Sequence, residues 1–410
     1  MVPKFPRYVR INTLKADVNK VVDILRSEFR DRIYMDRHVP NLLVLPPGTD
    51  LHNHTLVKNG ELILQDKSSC FSALALAYGS GSSTIIGDSM DACASPGNKT
   101  THLAALLEDT ASRGSKSIEN RHLPSRLYAL DRDSSRVKIL RDRVGKLTSE
   151  TESNVIVESL HADFLNMNPE DKRFANLRSI LLDPSCSGSG IVSQPDRIGF
   201  GDDDTDQRIE SLSNFQITAL KHAMSFTQVK RIVYSTCSIH DKENENVVAT
   251  CLKEVNSHGG LWRLVSPISL KSWSRRGKVV SGLTKDQSQC LIRCDARLDD
   301  DTNGFFVACF EREEIFNEKK NKYKLEVPRG LSIYDNQFKD KVEINSKSAS
   351  GTIPSEDGDE SPNSNRTSGK EMDCIKKKAK KIKWKQKQAM QKAERLRRKR
   401  EADTQKVNQK

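Results

Sequence analysis

No stretch of about 18 consecutive apolar residues occurs in the 410-residue chain, which excludes an apolar helix long enough to span a bilayer. The start, MVPKFPRYVR, is basic but has no apolar middle region, so no secretory signal is expected, and a soluble, intracellular chain is expected. Nine cysteines are present without one CxxC pair or a regular framework spacing, so reduced thiols are expected rather than a disulfide scaffold. Cys290 and Cys294 form a CxxxC, but the nearest histidine, His258, lies far upstream and no second pair exists. Two half-buried strand cysteines are a better reading there than zinc, and no metal is expected. GxGxxG and the GxxxxGK of a P-loop are also missing, which counts against a dinucleotide and against ATP.

What is present is unevenly distributed. Apolar residues make up only 36% of the chain, so part of it is expected to be unfolded. The segment Ile375 to Arg400 holds fourteen Lys/Arg against one Glu, and thus carries the whole of the net charge of +12 while the remainder is close to neutral. From about Asn345 to Asp373 the chain is rich in Ser, Gly, Asn, Asp and Glu without hydrophobic periodicity, a disordered acidic linker. The basic block suits polyanion binding and nuclear or nucleolar import, because clustered Lys/Arg displace counterions from a phosphate backbone. The plainer alternative is a solvated, partly helical tail.

Between Ser83 and Glu313, short apolar runs alternate with amphipathic stretches, as in βαβ units with a parallel sheet. Strands are expected near Thr84–Ala92, Arg126–Leu130, Asn154–Leu160, Ser179–Leu182 and Arg231–Tyr234, with helices over Thr100–Thr110, Ser134–Lys146 and Asp206–Phe226. QCLIRCDAR and GFFVACFER read as an antiparallel hairpin closing the sheet, for about seven strands in all, mostly parallel. The fold class is therefore α/β. Ahead of it, a strand at Tyr8–Ile11, a helix at Asp17–Glu28 and a strand at Leu42–Leu45 make a small α+β module. Its basic residues Lys4, Arg7, Arg10, Lys15 and Lys20 suit phosphate contacts or form a solvated face. The expected division is residues 1–60 for the module, of RNA-binding type, 61–315 for the catalytic domain, 316–374 for the linker and 375–410 for the basic tail.

The first long strand runs into DACASPGNKT, Asp91 to Thr100, at the start of a helix. A small-residue turn there lets a polar ligand edge approach backbone N–H groups. Asp131 ends the second strand, where a carboxylate usually takes ribose hydroxyls; Asp163 follows the third and Asp183 ends the fourth. Any one of these acids is as readily a helix cap, but together they outline a rim at the carboxyl ends of the strands. S-adenosylmethionine fits such a rim, carboxylates holding the ribose and facing the sulfonium.

The fourth strand ends LLDPSCSGSG and the fifth VYSTCS, so Cys186 and Cys237 leave adjacent strands at one edge. Carbon 5 of a pyrimidine is a poor nucleophile toward a sulfonium. A thiolate adding to carbon 6 makes it enamine-like, and a second thiol can then assist release. Small polar neighbours around both sulfurs argue against the usual fate of free cysteine as a buried hydrophobe, a fate that Cys70, Cys251 and Cys309 are expected to share. Which of the two attacks is open at this point.

These residues, DACASPGNKT, LLDPSCSGSG and YSTCSIHDKENENVV in that order, resemble the Nol/Nop/Sun RNA (cytosine-5)-methyltransferases, closest to the branch acting on large-subunit ribosomal RNA. The resemblance extends from Arg7 to Arg312 and includes RYVRINTLK, ELILQDKSS and TNGFFVACFER. It implies a Rossmann-like S-adenosylmethionine-dependent methyltransferase, with Cys237 as nucleophile and Cys186 assisting product release. It further implies that Cys93, Ala94, Ser95, Pro96, Gly97, Asn98, Lys99, Asp131, Asp163 and Asp183 bind the cofactor, with Arg136 a further candidate and Lys99 and Asp183 near the reacting base. The expected partner is large-subunit rRNA or a pre-ribosome, the place the nucleus and nucleolus, and the state a monomer. Departures from the commoner family form are Ser185 between Pro184 and Cys186, Ser95 and Asn98 in the turn, and GDS inside the first strand. The chain starts almost at RYVRINTLK, from which a shortened N-terminus is expected.

Three further readings bear on function. HDKENEN is expected to open a helix, with Asp241 or Asn244 capping it, rather than to polarise the site through His240, Glu243 or Glu245. VSQPDRIGFGDDDTD is expected to be a mobile loop near the RNA entrance. The alternatives to cytosine methylation are a non-catalytic RNA-binding assembly factor on the same fold, and an exocyclic-amine methyltransferase using the DPS turn.

Overall fold

The computed structural model describes residues 5–81, 87–114, 124–148, 153–191, 202–298 and 300–313. The chain separates into two units, Met1–Lys319 and Lys320–Lys410, and the acidic linker and basic tail lie outside the described residues.

The N-terminal module is a four-stranded antiparallel sheet. Its strands are β1 (Arg7–Ile11), β2 (Tyr34–Met35), β3 (Leu42–Leu45) and β4 (Leu62–Leu64), in the order β2-β3-β1-β4. Helix α1 (Val18–Phe29) begins where Asp17 accepts a hydrogen bond from the Lys20 N–H at 3.0 Å, and it buries Val21 and Leu25, four apart on one face. A single turn, α2 (Thr55–Lys58), leads into β4, which lies beyond residue 60. Arg10 is not part of a basic surface. It is 1% exposed, donating from Nε to Gln65 Oε1 at 2.9 Å and from Nη2 to Thr101 Oγ1 at 3.2 Å.

Helix α3 (Lys67–Tyr78) follows, unforeseen in the sequence because SALALAY has no amphipathic period. It is buried nearly all round, and a helix apolar on every side belongs in a core. The catalytic-type sheet comprises β5 (Asp88–Asp91), β6 (Ser125–Asp131), β7 (Val155–His161), β8 (Leu177–Leu182), β9 (Arg231–Thr236), β10 (Trp262–Val265), β11 (Ile292–Cys294) and β12 (Phe305–Arg312). Their order is β10-β12-β9-β8-β5-β6-β7, with β11 beside β12, so that β7 to β9 across the sheet form five parallel strands. The expected hairpin forms as β11 and β12, and β12 pairs antiparallel with β9. The eighth strand, β10, was missed.

Helices α4 (Asn98–Gly114), α5 (Ser134–Leu147), α6 (Asp202–Ser225), α7 (Glu245–Ser257) and α8 (Lys285–Cys290) complete the unit. Alternate residues of the central strands feed two cores. Leu181, Val233 and Val307 pack with α3 and α4, whereas Ile180, Leu182, Ile232, Tyr234 and Phe306 pack with α6 and α7. Each such fully buried aliphatic or aromatic side chain contributes about 1.5–3 kcal/mol. The first strand is described from Asp88 to Asp91, and residues 84–86 of the expected strand lie outside the described residues. Gly87, at φ +135, has no room for a Cβ against Asn176, and the register with β8 shifts between Asp88 and Ser89. Ser89 stays in the sheet because its hydroxyl meets that of Ser179 at 2.8 Å.

Asp202–Asp204 belong to the first turn of α6 rather than to a loop. Residues 192–201 of that expected loop lie outside the described residues. Cys70, Cys251 and Cys309 are buried as expected; Cys294 is fully buried, and Cys290 ends α8 instead of standing in a strand. Among the described residues, no helix is long and apolar enough to cross a membrane, and no cluster of three or more His, Cys, Asp or Glu is placed to hold a metal ion.

Candidate active site

The parallel strands β6, β5, β8 and β9 end along one rim, and the chemistry-bearing residues leave from those ends. Asp91, the last residue of β5, is buried; Thr100 donates to its Oδ2 at 2.7 Å, while Oδ1 has no hydrogen-bond partner. Desolvation pushes this carboxyl up to about 7. The turn that follows carries the expected residues compactly. Cys93 is half-buried and burial raises its thiol. Ala94 donates its N–H to Leu130 O at 2.7 Å, tying the turn to β6. Ser95 Oγ donates to Arg136 O, and Arg136 Nη2 donates to Ser95 O, both at 3.0 Å. Pro96 is exposed after a cis peptide bond, and Gly97 takes φ +106. Asn98 opens α4 and accepts from Arg143.

Asp131 closes β6; its Oδ1 accepts from the Asp133 N–H at 3.0 Å and its Oδ2 lies 3.3 Å from Arg136 Nη2. Arg136 is thus joined to both the turn and Asp131. Asp163 sits after β7, where its Oδ1 accepts from the Leu165 N–H at 3.0 Å, so it acts as a cap on the short helical turn that follows. Lys99 and Asp183 meet at 2.8 Å, and Ser235 donates to the other oxygen of Asp183 at 2.6 Å. Burial is the largest single influence and would lower the Lys99 ammonium; the charge and hydrogen bond of Asp183, with Cys237 and Asp91, together outweigh it and the net direction is upward. The ammonium also lies 5.3 Å from the centre of the Phe305 ring.

Cys186 and Cys237 converge, with their sulfurs 3.2 Å apart. β8 and β9 are parallel neighbours in register from Ser179–Arg231 to Leu182–Tyr234, which brings the two strand ends side by side. The hydrogen bond between the sulfurs lowers the Cys237 thiol from its ordinary value and raises that of Cys186 well above it. Lys99 favours the Cys237 thiolate further, whereas burial and the charge of Glu243 hold Cys186 protonated. The contact thus favours a thiolate on Cys237 and a thiol on Cys186.

The stretch after Cys237 does not cap a helix. Asn244 stands at the start of α7 without a side-chain cap bond, and Asp241 makes none either. The Asn244 amide is used elsewhere: Thr236 Oγ1 donates to Asn244 Oδ1 at 2.5 Å, and Asn244 Nδ2 donates to Ser238 O at 2.9 Å. Glu243, fully buried, accepts on Oε1 from the Ser187 N–H at 2.8 Å and from Gln216 Nε2 at 3.0 Å. Glu245 turns to Arg293, 2.5 Å away. Sequence reasoning missed the roles of Gln216, Glu243 and Asn244 because their partners are 6 to 56 residues away along the chain and leave no helical or strand-like pattern.

A model of the family described as 16S rRNA methyltransferase RsmB/F matches residues 86–310, more than half of the chain. The chain belongs to this family. Residues 5–65 match the ferredoxin-like domain of NOL1/NOP2/Sun domain family member 5, which places the chain among the NOP2/Sun methyltransferases. It is 40% identical over 326 residues to a 25S rRNA (cytosine-C(5))-methyltransferase of Arabidopsis thaliana, covering 77% of this chain and 51% of that protein. It is 37% identical over 331 residues to one of Schizosaccharomyces pombe, covering 78% and 66%. The chain thus spans between half and two thirds of the length of these curated relatives. The solved methyltransferase homolog protein from Pyrococcus horikoshii shares the fold, with a TM-score of 0.55 at 23% identity over 76% of this chain and 88% of that one.

The family is one of S-adenosylmethionine-dependent methyltransferases, and the residues present suit that group. Asp91 holds an unpaired buried carboxylate oxygen, Asp131 stands at the neighbouring strand end, and Gly97 keeps side-chain bulk out of the turn.

Proposed function

We propose that this protein methylates carbon 5 of a cytosine in large-subunit ribosomal RNA, with S-adenosylmethionine as methyl donor and a covalent Cys237 adduct on the path. The observation that carries the reading is the pair of sulfurs 3.2 Å apart at the ends of adjacent strands, beside the Lys99–Asp183 ion pair. Methyl transfer to oxygen or to an exocyclic nitrogen needs no thiol pair, and a binding protein needs none either. The 25S rRNA (cytosine-C(5))-methyltransferases among its relatives support the reaction class and the RNA class.

Cys93 to Lys99, Asp131, Arg136, Asp163 and Asp183, with Asp91 added to that set, would hold S-adenosylmethionine, which would supply a sulfonium-bound methyl group. The chain's own residues do the rest. The target cytosine leaves its stack to reach the rim. Cys237, as thiolate, adds to carbon 6 and renders carbon 5 enamine-like. After methylation carbon 5 carries one proton too many; solvent at the open rim takes it, the carbon 5–carbon 6 double bond re-forms and Cys237 leaves as a thiolate. Cys186, protonated and 3.2 Å away, donates a hydrogen bond to the departing sulfur. The fully grouped Lys/Arg tail adds counterion-displacing affinity for RNA, and the nucleolus is the compartment where such a substrate is met.

The test is transfer of labelled methyl groups from S-adenosylmethionine to large-subunit rRNA lacking the modification, with the product mapped at base resolution. One cytosine is expected to gain a 5-methyl group with the native chain and none with Cys237→Ala. Full methylation by Cys237→Ala would remove the adduct from the account.

A further inference from the structure

Two adjacent residues hold the two cysteine loops, one each. The Glu243 carboxylate accepts from the N–H of Ser187, directly after Cys186, at 2.8 Å. It also accepts from Gln216 Nε2 at 3.0 Å, and the same Gln216 nitrogen donates to the carbonyl of Ser185, directly before Cys186, at 3.0 Å. Both backbone neighbours of Cys186 are thereby tied to one carboxylate. Asn244 does the same for Cys237: it accepts from Thr236 Oγ1 at 2.5 Å and donates to Ser238 O at 2.9 Å, the residues directly before and after the second cysteine.

The four anchoring residues are buried. Glu243, Asn244, Gln216 and Tyr234 are each 0% exposed, and Tyr234 OH donates to Glu243 O at 2.5 Å, with Gln216 Oε1 3.1 Å away. Buried polar networks of this kind fix one geometry where loose loops would sample many.

We infer that Glu243 and Asn244 form a clasp that sets the separation of the Cys186 and Cys237 sulfurs, acting as positioning residues for attack and release. This rests on the proposed roles of the two cysteines. Because the two residues are consecutive, a shift of one loop is passed to the other through a single peptide unit. The clasp also divides by function: Asn244 governs the attacking loop, Glu243 the releasing one. Glu243 Oε2 makes no hydrogen bond, so an amide nitrogen at that position breaks neither tie through Oε1.

The test uses the full chain with Glu243→Ala, Glu243→Gln, Asn244→Ala and Gln216→Met. Two readouts are taken: the covalent RNA adduct on denaturing gels, and the rate at which diamide closes a Cys186–Cys237 disulfide. In the second, both thiols lose their protons and two electrons pass to the diazene, giving a hydrazine. Glu243→Ala is expected to slow disulfide closure about ten-fold and to let the adduct accumulate as in Cys186→Ala, because small displacements cost reacting groups heavily. Glu243→Gln restores most of both. Asn244→Ala slows closure comparably but lowers the amount of adduct formed, and Gln216→Met, which frees only Ser185 and leaves Glu243 on Ser187, gives a milder form of the Glu243→Ala behaviour.

Disulfide closure at the native rate in Glu243→Ala and Asn244→Ala would overturn the clasp. So would losses of adduct, methylation and melting temperature in equal proportion in every variant, the mark of a purely structural role. If instead no adduct forms with any chain while methylation persists, the catalytic reading fails, and the diamide rates still decide whether the clasp exists.

Discussion

Lys99 Nζ lies 2.8 Å from Asp183 Oδ2, an ion pair between the first turn of α4 and the end of β8. Its cation also favours the Cys237 thiolate. Removing it in Lys99→Met raises the Cys237 thiol, so less thiolate exists at neutral pH and the rising limb of the pH–rate profile moves to the alkaline side. A loss of about 10²-fold in methylation rate is expected near neutrality, narrowing as pH rises. Initial rates across the neutral to alkaline range check this; a loss of equal size at every pH contradicts the electrostatic part of the account.

Gly97 takes φ +106, and a Cβ there would stand 3.1 Å from Leu140 Cδ1. Gly97→Ala is expected to cost about 1–3 kcal/mol through the disfavoured backbone and the forced shift of Leu140. It also moves the turn proposed to hold the cofactor. Thermal unfolding and calorimetric titration with S-adenosylmethionine check both effects, and an alanine protein with native stability and affinity contradicts them.

Burial pushes the Asp91 carboxyl up to about 7. An acid raised on folding binds more protons in the folded than in the unfolded chain. Its contribution to stability is therefore most favourable at low pH and declines as pH rises from its unfolded value, about 4, through about 7. Asp91→Asn removes that decline, so its gain in stability over the native chain is larger at mildly alkaline than at acid pH, by at most about 4 kcal/mol. Denaturant titrations at the two pH values check the sign. The reverse order contradicts the desolvated state of this carboxylate.

The rim was legible because its residues stand at strand ends, and strand ends are marked by a change from apolar runs to small and acidic residues. Asp131, Asp183, Cys186 and Cys237 were found that way. Legibility failed wherever burial, rather than period, decided the structure. SALALAY of α3 shows no amphipathic stripe, since it is covered on all sides. Arg10 reads as one of several surface cations, yet it lies beneath the start of α4 on Gln65 and Thr101. Asn244 looks like a helix cap because it stands where caps stand. Its amide is taken by Thr236 and Ser238, whose groups would otherwise be buried unpaired.

The central claim is that Cys237 attacks the base and Cys186 assists its release. The most direct measurement is a denaturing-gel search for a covalent protein–RNA adduct, using large-subunit rRNA and S-adenosylmethionine with the Cys186→Ala and Cys237→Ala proteins. The account predicts an adduct that accumulates in Cys186→Ala and is absent in Cys237→Ala. An adduct that accumulates in Cys237→Ala would exchange the two roles, and methylation intact in both proteins with no adduct in either would contradict the account altogether.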